Sequence, residues 1–519
     1  MEVLSVNHVK RAACRCSIAW SVLAALLISS SVRADEEEAW PREIETPQGL
    51  VVIYQPQLDR LEGNTLEVRA AVSVAPTGES EPTFGVVWFK AHLDTDFDGR
   101  TVVLRDVVVP SVKFQGATPE QQQALVDLLN TEIPKWDLEM SLDRMVALLD
   151  LAEKQAQVAE GFDDTPPTIL FADYPAVLVA IDGAPSLLQI PNTELRIVIN
   201  TPFLIMEDLK DQHFYLYAGN EAWYDASAIE GPWRVTERVP ARVLEMQPLE
   251  KLETEGEIPD EFMGSTVFPK IIVATEATEL IVTDGPPRFR PIGSGELSHL
   301  SNTKSDVLLE SATQRYFVLL SGRWFSSESL NGPWVFVASD ALPPSFAEIP
   351  PDSDQGYLLT WVAGTQLAKD AVLESYIPQT ASVPRDVTIK VIYDGAPQFE
   401  AIEETNLEYA VNTQFQVIKS GAMYYCLHEA VWYMASAPSG PWSVASEVPE
   451  EIYDIPPSSP LYNTTFVFIY ESTPDEEYVG YYPGYVSSYV YNGCVVYGTG
   501  WRYRAYVSPR RCYPRHATW

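Results

Sequence analysis

Positive charge is scarce in this sequence. Its 519 residues carry 35 Lys and Arg against 72 Asp and Glu, a formal net charge of −37. Such a surface repels phosphate backbones and anionic headgroups, which argues against nucleic-acid binding and against electrostatic adhesion to membranes. Cysteine is scarce too. Of five, Cys14 and Cys16 precede the first apolar run, leaving Cys426, Cys494 and Cys512. None of these three has a metal-ligand spacing, so zinc and redox chemistry are not indicated. Cys494 and Cys512 bracket a Tyr/Gly-rich tail and could pair in an oxidising compartment; Cys426 would then be a buried single thiol. His92, His213, His299, His428 and His516 share no spacing, and no Gly-x-Ser-x-Gly elbow, Gly-rich phosphate loop or His-Glu-x-x-His is found. A glycosidase pair would have to come from carboxylates outside the repeat described below. The chain therefore reads as non-enzymatic, with no catalytic residue, metal or cofactor assigned.

Long apolar runs are absent but for one, Ile18 to Val32, preceded by Lys10, Arg11 and Arg15. It is shorter than the roughly 20 residues that a spanning helix needs. Val32-Arg33-Ala34 leaves small residues at −3 and −1, the layout of a cleavable secretory signal over residues 1–34. The expected product is exported, to the periplasm, the cell surface or the medium, with no membrane span. Cys14 and Cys16 lie before the apolar run rather than at its end, which argues against lipid attachment. Cleavage removes four basic residues and one acidic residue, leaving 31 against 71 and a net charge near −40. An apolar content of 46% is ordinary for a globular protein. The 40 prolines and 27 glycines suggest short strands and many turns.

What is present is a module repeated three times. The first copy runs Asp182-Gly183, Asn200-Thr201, Trp223, Gly231-Pro232-Trp233. The second runs Asp284-Gly285, Asn302-Thr303, Trp324, Gly332-Pro333-Trp334, and the third Asp394-Gly395, Asn412-Thr413, Trp432, Gly440-Pro441-Trp442. The interval from Asp to Asn is identical in every copy, and so is the interval from the first Trp to the second. Only the stretch between Asn and the first Trp changes length, being longest in the first copy and shortest in the third. Fixed outer intervals around a variable middle point to one supersecondary unit with a loop of free length. Asp-Gly is a turn signal, and Asn-Thr is expected to make a second turn. A Tyr/Phe-rich strand follows, the first Trp lies on its partner strand, and Gly-Pro turns the chain so that the second Trp returns to the same sheet. Proline-marked exits follow at Pro248, Ile349-Pro350-Pro351 and Ile455-Pro456-Pro457.

The fold expected is mainly β: an N-terminal β domain (35–117), a helical hairpin (118–165), three small antiparallel β modules (166–250, 267–352 and 377–458) and a Tyr/Gly-rich C-terminal segment (459–519). Thr118-Pro119-Glu120-Gln121 is a capping box with Pro at the first helical position. Ser141 opens a second helix, and residues 353–376 read as a helical linker. The tail either adds strands to what precedes it or forms an adhesive segment. Asp94-Thr-Asp96-Phe-Asp98-Gly99 has the start of a calcium loop without the glutamate that completes one, and reads equally well as an acidic hairpin turn.

The tryptophans are the sharpest candidates. A flat indole on a small β module can stack on a sugar ring, and three copies would add avidity. Trp223, Trp324 and Trp432 are the expected ligand-contacting residues, with Trp233, Trp334, Trp442, Asp182, Asp284 and Asp394 holding each module together. Arg323-Trp324-Phe325 through Gly332-Pro333-Trp334, and Tyr424-Tyr425 through Gly440-Pro441-Trp442, resemble a family of exported bacterial proteins labelled carbohydrate-binding for their similarity to chitin- and cellulose-directed modules of types five and twelve. That resemblance implies a polysaccharide or other envelope polymer as partner and again places Trp223, Trp324 and Trp432 at the contact. The alternative is an envelope scaffold that binds other proteins, with the indoles buried.

Overall fold

The computed structural model describes residues 40–78, 82–114, 117–136, 138–218, 222–246, 268–503, 506–507 and 512–513. Residues 1–34, expected to be a leader, and the exit at Pro248 lie outside them. The chain divides into two compact units, one ending at Glu153 and one beginning at Lys154. Among the described residues no helix is long and apolar enough to cross a membrane.

The first unit is a seven-stranded antiparallel sheet: β1 (Arg42–Thr46), β2 (Gly49–Ile53), β3 (Gln57–Glu62), β4 (Thr65–Pro76), β5 (Thr83–Asp96), β6 (Thr101–Phe114) and β7 (Glu139–Ser141). Alternating runs such as Val68, Ala70 and Val72 send one face into the core. Helix α1 (Pro119–Glu132) starts where expected, with Thr118 and Gln121 forming a reciprocal capping box. It docks on β6 through Leu129 and through Asn130, whose side chain exchanges two hydrogen bonds with the Val109 backbone. Helix α2 (Leu142–Ala156) follows from Ser141.

In the second unit, β8 (Thr168–Ala172) and β9 (Ala176–Ala180) lead into module one. Its six strands, β10 (Leu187–Gln189), β11 (Leu195–Val198), β12 (Ile205–Asp208), β13 (His213–Tyr217), β14 (Trp223–Ala226) and β15 (Arg234–Thr236), pair each with the next as an antiparallel meander. The short helix α3 (Ala241–Leu244) ends the module. Module two repeats the plan: β16 (Lys270–Ala274) and β17 (Thr278–Val282) lead into β18 (Phe289–Ile292), β19 (Leu297–Leu300), β20 (Val307–Glu310), β21 (Arg315–Leu320), β22 (Arg323–Ser327) and β23 (Val335–Val337). Helix α4 (Gln366–Ser375) and β24 (Gln379–Pro384) connect to module three: β25 (Phe399–Ala401), β26 (Glu408–Ala410), β27 (Gln416–Ser420), β28 (Met423–His428), β29 (Val431–Ala435) and β30 (Ser443–Val444).

The modules are not independent beads. Strand β8 pairs in parallel with β17, and β9 with β16, so the entry strands of modules one and two hold each other. Module three pairs its entry strand β24 with a fourth hairpin, β31 (Val467–Ser472) and β32 (Glu476–Tyr481). Nothing in the sequence announces the parallel pairings, because β-rich entry runs do not state their partners.

The fixed Asp-to-Asn interval has a direct cause. In each module Asn-Thr lies in the turn between two antiparallel strands, as expected, and the Asn side chain also reaches back to the Asp-Gly turn. Asn412 Nδ2 donates to the carbonyls of Asp394 (2.9 Å) and Ala396 (2.7 Å), and its Oδ1 accepts from Gln398 N (2.9 Å). Asn200 and Asn302 make the same three bonds around Asp182 and Asp284. The Asp amide in turn donates to the Asn carbonyl in all three. Gly183, Gly285 and Gly395 take φ of 80°, 71° and 84°, which side-chain-bearing residues disfavour. The variable interval falls in the strand connections: β13–β14 spans 218–222 against 321–322 and 429–430 in the other modules, and β27–β28 spans only 421–422 against 209–212 and 311–314.

Asn412 is fully buried, whereas Asn302 is partly solvent-facing. Truncating Asn412 to Ala strands three backbone groups and is expected to cost about 3 kcal/mol, against about 1 kcal/mol for Asn302→Ala. Urea-unfolding midpoints of the two variants check this, and equal effects would refute the clamp as the source.

Candidate functional site

The expected site lies on strands β14, β22 and β29. Each pairs with the Tyr/Phe-rich strand as expected, with Tyr217 opposite Trp223, Leu319 opposite Trp324 and Leu427 opposite Trp432. The indoles, however, face inward. Trp223 is 3% exposed, and Trp324 and Trp432 are 0% exposed. The exit segment of each module lies over them. Phe346, in the 3-10 turn Pro344–Glu348, packs edge-on to Trp324 at 5.2 Å; Val243 of α3 shares a cluster with Trp223, and Ile452 shares one with Trp432. Trp324 Nε1 donates to the Trp361 carbonyl (2.8 Å) and Trp432 Nε1 to the Val467 carbonyl (3.1 Å). Trp361 follows Ile349 by the same interval as Val467 follows Ile455, so the Ile-Pro-Pro exits deliver matching carbonyls. Trp223, Trp324 and Trp432 are therefore core, which corrects the expectation that they stack on a ligand. The physical reason is that a sheet this small has two apolar faces, and its exit segment is the nearest cover for the second.

Trp233, Trp334 and Trp442 are buried on the opposite face, among residues of the entry segments: Ile181 beside Trp233, Ile281 beside Trp334 and Val391 beside Trp442. The preceding Gly-Pro bonds are cis, and Gly231, Gly332 and Gly440 have φ of 94°, 77° and 88°. A Cβ on any of these glycines would meet the Trp Cδ1 at 2.8–3.1 Å. Gly is required there both by backbone conformation and by the indole lying over it. Asp182, Asp284 and Asp394 enter the clamp through their backbone groups; the Asp284 carboxylate points to solvent beside Arg288 (3.3 Å).

Two buried carboxylates carry turns. Asp208 Oδ1 accepts from the amides of Lys210 and Asp211, while Arg242 of α3 pairs with its other oxygen. Glu310, at the same place in module two, accepts from the amides of Ala312 and Thr313 and from the Thr313 hydroxyl. Burial pushes the Glu310 carboxyl up, but these bonds outweigh it and hold the group below its ordinary value. At the acidic loop, Asp96 Oδ1 accepts from the amides of Asp98 and Gly99, so this carboxylate closes the β5–β6 hairpin turn. Among the described residues no group of three His, Cys, Asp or Glu is arranged to hold a metal ion.

Sequence reasoning missed Arg323. Its side chain is fully buried, donates to the carbonyls of Tyr497 (2.7 Å) and Gly498 (2.6 Å), and lies 3.7 Å from the Asp164 carboxylate. Tyr491 also donates to Asp164, and Trp501 Nε1 donates to the Gly161 carbonyl (3.0 Å). The tail is thus packed: the hairpin β33 (Ser488–Tyr491) and β34 (Cys494–Tyr497) joins module two to the segment that leads into module one. Cys494 is a buried free thiol in this hairpin, not one half of a disulfide, and the Cys512 side chain lies outside the described residues. Burial pushes the thiols of Cys426 and Cys494 up to about 12 and about 11, which makes both poor nucleophiles.

No family model matches the chain, and no curated protein is significantly similar to it.

Replacing Trp324 or Trp432 by Ala is expected to destabilise the second unit by about 3–5 kcal/mol, measured by urea unfolding. A variant of unchanged stability would show the indole to be dispensable to the core. Glu310 adds a pH dependence of known sign. Its folded value is depressed below 4.5, so its contribution is present above that value and is lost as pH falls through the folded one. The stability gap between parent and Glu310→Gln, about 1–2 kcal/mol at pH 7, should narrow as pH falls below 4.5.

Proposed function

We propose that this chain is an exported, non-catalytic scaffold of the cell envelope whose modules engage protein partners. The observation that carries this reading is the burial of both tryptophans in every module. Polysaccharide stacking needs an indole face open to solvent, and these six faces are occupied by the protein's own exit and entry segments. What the modules leave open is sheet edge and acidic surface. Strands β15 and β23 end their sheets, with Val235 42% and Val335 50% exposed. An open strand edge offers unpaired amides and carbonyls to an added strand from another protein. The acidic excess favours a basic partner.

Chitin, cellulose and insoluble peptidoglycan test this at physiological salt. The chain from Asp35 onward is expected in the unbound fraction on all three polymers. Retention on any of them would restore the carbohydrate-binding reading through a surface other than the indoles.

A further inference from the structure

Modules one and two exchange their first entry strands. Ile169 and Phe171 of β8 pack in the Trp334 core of module two, and Ile271 and Val273 of β16 pack in the Trp233 core of module one. In both modules the second entry strand ends two residues before the Asp-Gly turn and starts three residues after the first. Counting back from Asp394 by the same intervals places the corresponding segments of module three at 380–384, within β24, and at 388–392. Segment 388–392 belongs to no sheet. Ile389, Val391 and Tyr393 hold the positions whose backbone meets the exchanged strand in the other modules, where Ile181 N donates to Ala274 O (2.8 Å) and Thr283 N to Ala172 O (2.9 Å). Among the described residues nothing hydrogen-bonds to the backbone of Ile389 or Val391.

Strand β24 is open on one side as well. Arg385 N donates to Asp475 O (3.0 Å), so the odd-numbered residues of β24 face β32, and Thr380, Ser382 and Pro384 turn their backbone groups away from it. That free side is the one β8 turns to β17, since Thr168 N donates to Ala277 O (2.9 Å). Ala381 is exposed, although its counterparts Ile169 and Ile271 pack in the neighbouring module's core. Ile392, which ends the open segment, is 61% exposed.

We propose that module three makes this exchange with a second copy of the chain: β24 of each copy pairs in parallel with residues 388–392 of the other, in the register that joins modules one and two. Three modules leave one without an internal partner, and the backbone edges that modules one and two use on each other are the edges left open on the third. Strand β32 does not compete, because it holds the opposite side of β24. Val383 packs on its own module's core within one copy; in the exchanged register it stands opposite Val391 of the other copy. Pro384 has no N–H, so each exchanged pair has one ladder bond fewer than β8 makes with β17. The product is a twofold dimer in which each copy gives and receives the same strand. It does not depend on what the edges of β15 and β23 engage.

Sedimentation velocity of the chain from Asp35 onward, over a concentration series, tests the pairing. A reversible dimer is expected. The two acidic copies repel, so association should tighten as salt rises. Ser382→Pro removes an amide from the open side of β24 and leaves the β32 side intact. It should weaken dimerisation about tenfold, the loss of one ladder bond in each of two pairs, with an unchanged urea midpoint. Ser382 and Lys390 face each other across copies in this register, and both are exposed. In a Cys512→Ser background, an oxidised mixture of Ser382→Cys and a tagged Lys390→Cys should therefore give a disulfide joining tagged to untagged chain. Ser382→Cys alone should give none. A monomer at every concentration overturns the proposal, as does a dimer that salt dissolves or that a folded Ser382→Pro leaves intact. A dimeric parent whose cysteine variants form no mixed disulfide overturns the exchange, and that arm decides the matter if Ser382→Pro does not fold.

Discussion

A six-stranded meander of about fifty residues has two faces and too little chain to leave either one wet. That constraint governs the second unit. One face of each sheet takes the entry segment, the other takes the exit segment, and a tryptophan lies under each cover. The first Trp stands on the strand after the Tyr/Phe-rich one; the second stands just past the Gly-Pro bond, where the chain has reversed. The constant interval between them carries the chain from one face to the other. A module built this way has no spare indole, and its aromatic content reports how the core is covered rather than what the protein binds.

Covering the sheets also explains why the modules are joined. The entry strands that cap the inner faces have backbone edges of their own. Those edges are satisfied between modules one and two by the β8–β17 and β9–β16 pairs, and on one side of β24 in module three by the hairpin β31–β32. The C-terminal hairpin supplies the last closure. There Arg323 draws Tyr497, Gly498 and Asp164 to one buried cation, fastening the C-terminal hairpin to the segment that opens the unit. Burial pushes the guanidinium below its ordinary value and Asp164 counters that shift, so the charge is tolerated because carbonyls and a carboxylate surround it. Breaking that contact would leave an uncompensated buried charge, which ties the integrity of module two to the tail.

Much of this was legible in the sequence, and the limits are physical. The repeat, the strand order within each module, the capping box at Thr118 and the helix after Thr365 follow from local signals: turn glycines, fixed spacing, N-cap residues. The interval between Asp182 and Asn200 announced a rigid unit and Asn-Thr announced a turn, but nothing in Asn-Thr says that its side chain also bonds back to the Asp-Gly turn. The faces of Trp324 and Trp432 were not legible, because accessibility depends on segments that follow well after the strand each Trp stands on. Phe346, Trp361 and Val467 decide it, and their role is set by tertiary docking. Arg323 was hidden for the same reason, since a lone Arg at the start of a β-strand reads as an ordinary edge cation.

The two units use their tryptophans differently. In the repeat, the six indoles lie at or below 8% exposure, and Trp233, Trp324 and Trp432 donate their N–H to a carbonyl. In the N-terminal unit, Trp40 and Trp136 are half-buried and pack edge to face, with the Arg42 guanidinium beside both rings. A repeat that encloses its aromatics is suited to hold shape. The repeated Gly-Pro-Trp is conspicuous because packing constrains it.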